Sequence, residues 1–376
     1  MQPQDAIFMA RALELARQGL GRTSPNPTVG AVIVRDGQVV GEGYHQKAGT
    51  PHAEIHALRA AGEKARGATL YVTLEPCCHY GRTPPCTEAI IAAGIKRVVA
   101  AMADPNPRVA GGGFRALSQA GIEVETGLLA DEARRLNEAF IKYITTGRPW
   151  VTLKMALTLD GKIATRTGAA RWITGPAARQ RAHELRDIHD AILVGIGTVL
   201  ADDPELTTRL PDGRGRDAIR VILDSHLRLP LSARVVNLQS EAPTLVVTTP
   251  SAPAAARENL AARGVEVLVL PEEDGRVAWQ PLLAELARRQ VTSILVEGGA
   301  EVNATALAAG IVDKVVAFIA PKIFGGREAP APVGGLGVAD PATAWRLEKL
   351  AVERCGEDIM LSGYLLKRGE EPCLPG

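Results

Sequence analysis

His52, Glu54, Cys77 and Cys86 are the residues of this chain best suited to chemistry. One imidazole and two thiolates can hold a catalytic zinc, which takes three protein ligands and keeps a fourth position for water. The metal brings that water's pKa toward neutrality. Hydroxide can then add to a ring carbon while an amine leaves as ammonia. Both steps need a proton shuttle that is not itself a ligand. Glu54, two residues beyond His52, is placed for that role, and Pro51 predicts a helix start that would let carboxylate and metal meet across the water. A closed structural zinc would need a fourth ligand, from Cys78 or His79; Glu54 beside His52 favours the open site. His56 reads as a packed or surface histidine, because no Glu follows His52 directly.

The elements that must position these residues can be read from pattern. Ala31–Val34 and Gln38–Glu42 flank an Asp-Gly and predict a hairpin. A helix is expected from about Ala53 to Ala65, a strand at Thr69–Leu74 and a helix at Thr87–Ala93. Cys77 then follows a strand and Cys86 opens a helix, whose amides favour a thiolate. Strands at Arg97–Met102 and Ile122–Thr126 make the sheet partly parallel, and one long helix is expected at about Asp131–Thr145. The N-terminal segment predicts an amphipathic helix with Ile7, Ala10, Leu13 and Leu15 near its buried face. Thr146–Pro149 is the expected linker. Beyond it, strands are expected at Val151–Met155, Ala191–Val194, Arg220–Leu223, Thr244–Thr248, Val265–Val269, Ser293–Val296 and Lys314–Ile319. Helices are expected at Ala177–Asp187, Gln280–Arg289 and Glu301–Ala309.

The pattern H-x-E, then Pro-Cys and a second Cys, is the signature of zinc nucleoside and nucleobase deaminases. Here eight residues, not two, separate Cys77 from Cys86. The stretch Glu75–Cys86 resembles the long-gap version in bifunctional riboflavin-biosynthesis enzymes. These join a diaminohydroxyphosphoribosylaminopyrimidine deaminase to an aminophosphoribosylaminouracil reductase. Pro25–Gly30 resembles the opening motif of the same family. The resemblance implies pyrimidine contacts at Asn26 and His79, and a phosphate contact at Arg82. His45 is a further candidate in this half.

In the second half, Ser293–Glu301 reads as strand, glycine turn and helix start, and Gly195-Ile196-Gly197 is a second such turn. Plain βα turns would look the same. Lys154–Ala164, Arg171–Thr174, Gly195–Pro204 and Val296–Gly299 resemble the reductase domain of the family. The resemblance implies NADPH contacts at Ala156, Trp172, Thr198, Asp202, Ser225, Gly298 and Gly299. It implies substrate contacts at Ala170, Arg186, Leu206, Arg209 and Glu297. Guanidinium groups suit a ribose phosphate, so Arg186 and Arg209 are its expected partners. Asp202 and Glu297 are candidates for organising the proton of the reduction.

The expected architecture is α/β: a cytidine-deaminase-like three-layer sandwich at 1–146, then a dihydrofolate-reductase-like domain at 149–368. The expected cofactors are Zn2+ and NADPH. The expected partners are a phosphoribosylated pyrimidine and further copies of the chain. A net charge of +1 and 4% aromatics argue against a nucleic-acid footprint. Five cysteines, three of them within ten residues, are not a disulfide framework. No apolar run is long enough to span a membrane, and a reducing cytoplasm is the expected compartment. A deaminase with a regulatory nucleotide-binding second domain is the alternative.

Overall fold

The computed structural model describes residues 2, 4–80, 84–107 and 109–366. The chain divides into two compact units, Met1–Arg148 and Pro149–Gly376. None of the described helices is long and apolar enough to cross a membrane.

The first unit runs α1 (Asp5–Arg17), β1 (Gly30–Arg35), β2 (Gln38–Tyr44), α2 (Ala53–Ala61), β3 (Thr69–Val72), α3 (Cys86–Ala92), β4 (Arg97–Ala100), α4 (Gly112–Gln119), β5 (Glu123–Thr126), α5 (Ala130–Leu136) and α6 (Glu138–Thr146). The sheet order is β2-β1-β3-β4-β5. The β1–β2 hairpin turns at Asp36-Gly37 and is antiparallel, whereas β3, β4 and β5 are parallel. Every residue of β4, and all but the last of β1, is buried, so helices cover both faces of the sheet. Packing there is tight: a Cβ added to Gly43 would lie 2.6 Å from the Ala53 carbonyl oxygen, which lets α2 settle on β2.

Two expectations change. The buried face of α1 is Met9, Ala12, Leu13, Leu15 and Ala16, while Ile7 and Ala10 point outward. The rotation follows from Asp5, which is fully buried and accepts hydrogen bonds from Arg97 on β4 (3.0 and 2.7 Å) and Tyr71 on β3 (2.7 Å). Arg97 also pairs with Glu125 on β5. The expected long helix is two helices that meet at Asn137. The buried Asn137 side chain accepts from the Thr28 amide (2.8 Å) and donates to the Thr28 carbonyl (3.0 Å), and this tertiary tie breaks the helix.

The second unit runs β6 (Trp150–Thr158), α7 (Pro176–Ile188), β7 (Ala191–Gly195), α8 (Ile196–Asp202), β8 (Ile219–Leu223), α9 (Arg234–Asn237), β9 (Thr244–Thr248), α10 (Ala254–Ala261), β10 (Glu266–Val269), β11 (Glu272–Glu273), β12 (Arg276–Val277), α11 (Trp279–Arg288), β13 (Ser293–Val296), α12 (Ala300–Ala308), β14 (Lys314–Ala320), β15 (Leu347–Cys355) and β16 (Asp358–Leu365). Its main sheet has the order β10-β9-β8-β7-β13-β6-β14-β16-β15. The strands from β10 to β14 are parallel, and β16 and β15 add antiparallel. The C-terminal ends of β6, β7, β8 and β13 therefore open on one side, where ligands bind in such sheets.

Replacing Asp5 with Asn removes the buried one of the two carboxylates that Arg97 pairs with, leaving Glu125. Breaking a buried pair in this way costs about 3–5 kcal/mol. The expected calorimetric result is a lower transition for the first unit and an unmoved one for the second; an unchanged first transition would rule out the tie as an anchor.

Candidate functional site

His52 is the residue just before α2, with extended backbone (φ −75°, ψ 167°). The helix thus begins at Ala53, where the sequence places its start. His52 leaves the helix axis, and Glu54 sits in the first turn, buried. The Nδ1 of His52 lies 3.3 Å from Cys86 Sγ and 3.6 Å from Cys77 Sγ. The three donor atoms are all within 4.8 Å of one another, a spacing a single metal ion can bridge. Cys77 comes from the chain beyond β3, and Cys86 is the first residue of α3, whose amide donates to Cys77 Sγ (3.3 Å). Cys78 and His79 fall outside this three-residue cluster, and so does His56.

The electrostatics suit a cation. The Cys77 thiol is drawn down to about 4, first by the hydrogen bond from Cys86 and then, against burial, by His52. Cys86 is pushed the other way by the same hydrogen bond and by burial. Two facing sulfurs share one proton until a positive ion lets both ionise. Burial pushes the Glu54 carboxyl up to about 7, and His52 acts against this.

Around the cluster, Asn26 Nδ2 lies 3.1 Å from His45 Nε2, and His45 Nδ1 lies 3.2 Å from the Pro51 carbonyl. A carbonyl only accepts, so Nδ1 carries the proton and Nε2 accepts from the Asn26 amide. That fixes the Asn26 side chain, and its Oδ1 is the end turned from His45. His79 is exposed, with Asp104 near enough to feel its charge. Arg82 lies outside the described residues.

Sequence reading passed over Glu75. Its buried carboxylate accepts four backbone N–H groups, from Asp104 (3.0 Å) and Gly111 (3.1 Å) on Oε2 and from Gly113 (2.9 Å) and Phe114 (3.2 Å) on Oε1. This pins the segment 104–114 beside Pro76 and Cys77. Its partners lie 29 to 39 residues away, so no local pattern marks it.

In the second unit, Glu297 follows β13 and takes a two-pronged bond from Arg186 of α7, Nε to Oε1 at 2.6 Å and Nη2 to Oε2 at 2.8 Å. Arg186 Nη1 also donates to the Thr207 carbonyl (2.9 Å). The Arg186 fork is thus engaged by protein rather than open toward a phosphate. Lys154 Nζ on β6 stands 3.8 Å from Glu297. Burial opposes the Glu297 charge, but Arg186 and Lys154 outweigh it and hold its carboxyl at about 2. His183, one helical turn before Arg186, accepts from the Arg209 amide (3.2 Å) and is lowered to about 4 by burial, Arg186 and Arg209. Lys154 and His183 are site-lining groups that sequence reading did not single out; the i, i+3 spacing of His183 and Arg186 was the available signal.

The other expected residues fall on several elements of this unit. Ala156 is on β6, Thr198 and Asp202 are on α8, Ser225 follows β8, and Gly298 and Gly299 link β13 to α12. Trp172 is exposed, with the Arg179 guanidinium 4.5 Å above its ring. Arg171 donates to the Asp202 carbonyl. Leu206 is buried with φ +54°, Ala170 is half-buried in the chain before α7, and Arg209 is exposed and paired with Glu205 (3.0 Å).

Comparison with known proteins agrees with both halves. Residues 2–102 match the cytidine and deoxycytidylate deaminase zinc-binding region, and residues 149–361 match the RibD C-terminal domain. The riboflavin biosynthesis protein RibD of Aquifex aeolicus is 49% identical over 95% of this chain and 97% of its own length. That of Escherichia coli is 48% identical over 86% of this chain and 89% of its own. Among solved structures, Acinetobacter baumannii RibD superposes with a TM-score of 0.86 at 43% identity, covering 97% of this chain and 99% of that one. A deaminase/reductase of Thermotoga maritima gives 0.84 at 41% identity, covering 96% and 99%.

Glu75→Gln keeps the shape but turns an amide NH2 toward two N–H donors. Losing those bonds costs about 1–3 kcal/mol locally. Amide hydrogen exchange at 104–114 should accelerate by roughly ten- to hundred-fold, and unchanged protection there would show that Glu75 does not hold the segment.

Proposed function

The chain belongs to the RibD family of bifunctional riboflavin biosynthesis proteins, and from that premise we propose how its residues divide the two steps. The first unit hydrolyses the exocyclic amine of a diaminohydroxyphosphoribosylaminopyrimidine. The second reduces the ribosyl group of the resulting uracil to ribityl. The chain uses zinc and a nicotinamide cofactor, and we take that cofactor to be NADPH. The observation that carries the reading is the convergence of His52 Nδ1, Cys77 Sγ and Cys86 Sγ, with buried Glu54 in the first turn of the same helix.

His52, Cys77 and Cys86 would hold the zinc, and the donor set of one nitrogen and two sulfurs fits it. When bound, the metal makes a water acidic enough to act as nucleophile at neutral pH. Glu54 takes the proton of the attacking water and delivers it to a ring nitrogen. It then helps move a second proton to the leaving amine, which departs as ammonia while the ring carbon keeps the oxygen. A shuttle must both accept and release, and burial, which raises the Glu54 carboxyl from its ordinary value, favours that exchange. Asn26, oriented through His45, would accept a hydrogen bond from the pyrimidine edge at Oδ1. His79 and Arg82 would meet the rest of the substrate. Glu75 positions the segment that walls the site.

In the second unit, bound cofactor supplies the hydride, received by the ribosyl C1′. Ala156, Trp172, Thr198, Asp202, Ser225, Gly298 and Gly299 would line the cofactor. Ala170, Leu206, Arg209 and Glu297 would line the substrate, with Arg186 acting through Glu297. Glu297, kept ionised beside Lys154, or Asp202 would organise the accompanying proton. Leu350 and Val352 stand exposed on the edge strand β15, which supports association with further copies of the chain. A reducing cytoplasm suits the free thiols of the cluster.

Glu54→Gln tests the division of labour. Ammonia release should fall by at least about a hundred-fold, the usual weight of a general acid–base group. Zinc content and NADPH oxidation on the deaminated substrate should persist. Loss of both activities in a folded variant would contradict independent sites.

A further inference from the structure

The second unit must seat two ligands, a cofactor and a substrate. A cavity of about 950 Å3 opens at the C-terminal ends of β7 and β8, with Gly195 and Gly197 in its wall. A Cβ on Gly197 would meet nothing within 4 Å, so the backbone there is bare toward open space. That volume and that wall fit a nicotinamide dinucleotide. His183, Arg186, Arg209 and Glu297 are not among the residues that line this cavity. They form a separate charged cluster beyond β13 and along α7.

The segment after α8 joins this cluster without regular structure of its own. Leu206 is buried with φ +54°, which turns the chain. Each of the next three residues is pinned by a side chain from elsewhere. Arg186 Nη1 donates to the Thr207 carbonyl (2.9 Å), Asp217 accepts from the Thr208 amide (2.7 Å), and His183 Nδ1 accepts from the Arg209 amide (3.2 Å). A backbone N–H only donates, so Nδ1 is unprotonated and the neutral ring carries its proton on Nε2. Burial first, then the charges of Arg186 and Arg209, hold the half-buried His183 down to about 4 against the pull of Glu297, which keeps the ring neutral and able to accept.

The two arginines differ in what is left open. All three nitrogens of Arg186 are engaged, Nε and Nη2 by Glu297 and Nη1 by Thr207. Arg209 is exposed, and its bonds to Glu205 and to the Thr207 hydroxyl both run through Nη1. Its Nε and Nη2 have no acceptor among the described residues. A phosphate monoester carries close to two negative charges at neutral pH and favours such a two-pronged donor. The direction of that fork depends on where the Arg209 backbone is held, and the Arg209 amide is held by His183.

We infer that His183 is a positioning residue of the reductase, which through the Arg209 amide aims the Arg209 guanidinium at the phosphate of the ribosyl group. His183 and Arg186 lie one turn apart on α7, so one helix face sets both the phosphate partner and the grip on Glu297. The inference rests on the reading of the second unit as a reductase of a phosphoribosylated pyrimidine with Arg209 at the phosphate.

Steady-state NADPH oxidation by the full-length, zinc-loaded protein tests it, with the deaminated pyrimidine supplied in phosphorylated and in dephosphorylated form. Wild type should show the lower KM for the phosphorylated form. His183→Ala should raise that KM by roughly ten-fold, the weight of one hydrogen bond in a charged contact, and change kcat by less than about two-fold. The KM values for the dephosphorylated form and for NADPH should hold. His183→Asn should restore the preference, because its Oδ1 is bonded to Cγ as Nδ1 is, and His183→Gln should not. A KM rise shared by both forms, or a loss confined to kcat, would overturn the inference. Should His183→Ala fail to fold, Asn and Gln decide: an equal preference for the phosphorylated form in the two overturns it. Arg209→Gln separates the inference from its premise. If that variant keeps the preference, the reading of Arg209 fails and the inference with it. If it loses the preference while His183→Ala keeps it, the inference alone fails.

Discussion

Two thiols and an imidazole held within 4.8 Å of one another form an unstable set unless a cation joins them. Both sulfurs cannot ionise side by side in a half-buried pocket, because like charges at that distance repel strongly in a low dielectric. Much of the first unit serves this meeting. The chain leaves β3 toward Cys77, α3 begins at Cys86, and α2 begins one residue after His52. Close packing of α2 on glycines of β2 sets the height of His52, and the Glu75 carboxylate fixes the segment beside Cys77. Three ligands leave room for a water, and Glu54 is the buried acid in the same helical turn.

The second unit solves a different charge problem. Glu297 is a carboxylate almost removed from water, and it persists because Arg186 grips both oxygens and Lys154 stands close by. Such a cluster is weak support for stability, since the desolvation of three charges offsets much of their attraction. Its value lies in holding an ionised group at a strand end, where parallel strands leave their last residues facing ligand. The glycine turns after β7 and β13 present backbone rather than side chains. One sheet thus carries both a charged cluster and glycine turns at its strand ends.

How much of this was legible in the sequence depends on the range of the interaction that decides each feature. Thr244–Thr248 and Ser293–Val296 are strands with the limits expected, because an unbroken apolar run between turns marks a strand buried on both faces. The cluster His52, Cys77 and Cys86 stood out because metal chemistry restricts residue type. Asn137 could not be read as a helix break: in isolation it continues the helical pattern, and only its bonds to Thr28 end the helix there. The same holds for Asp5, a buried anchor whose partners Tyr71 and Arg97 lie far along the chain. The pairing of Arg186 with Glu297 left no local mark, because 111 residues separate the two. The C-terminal hairpin β15–β16 escaped notice because its exposed edge strand lacks the alternation that pattern reading relies on.

The central claim is an open, three-ligand zinc in the first unit with a water at the fourth position. X-ray absorption at the zinc edge of the purified protein measures this most directly. An open site gives two sulfurs at about 2.3 Å, one imidazole nitrogen and one light oxygen donor. A third sulfur or a second imidazole, which Cys78 or His79 could supply, would close the shell and contradict it.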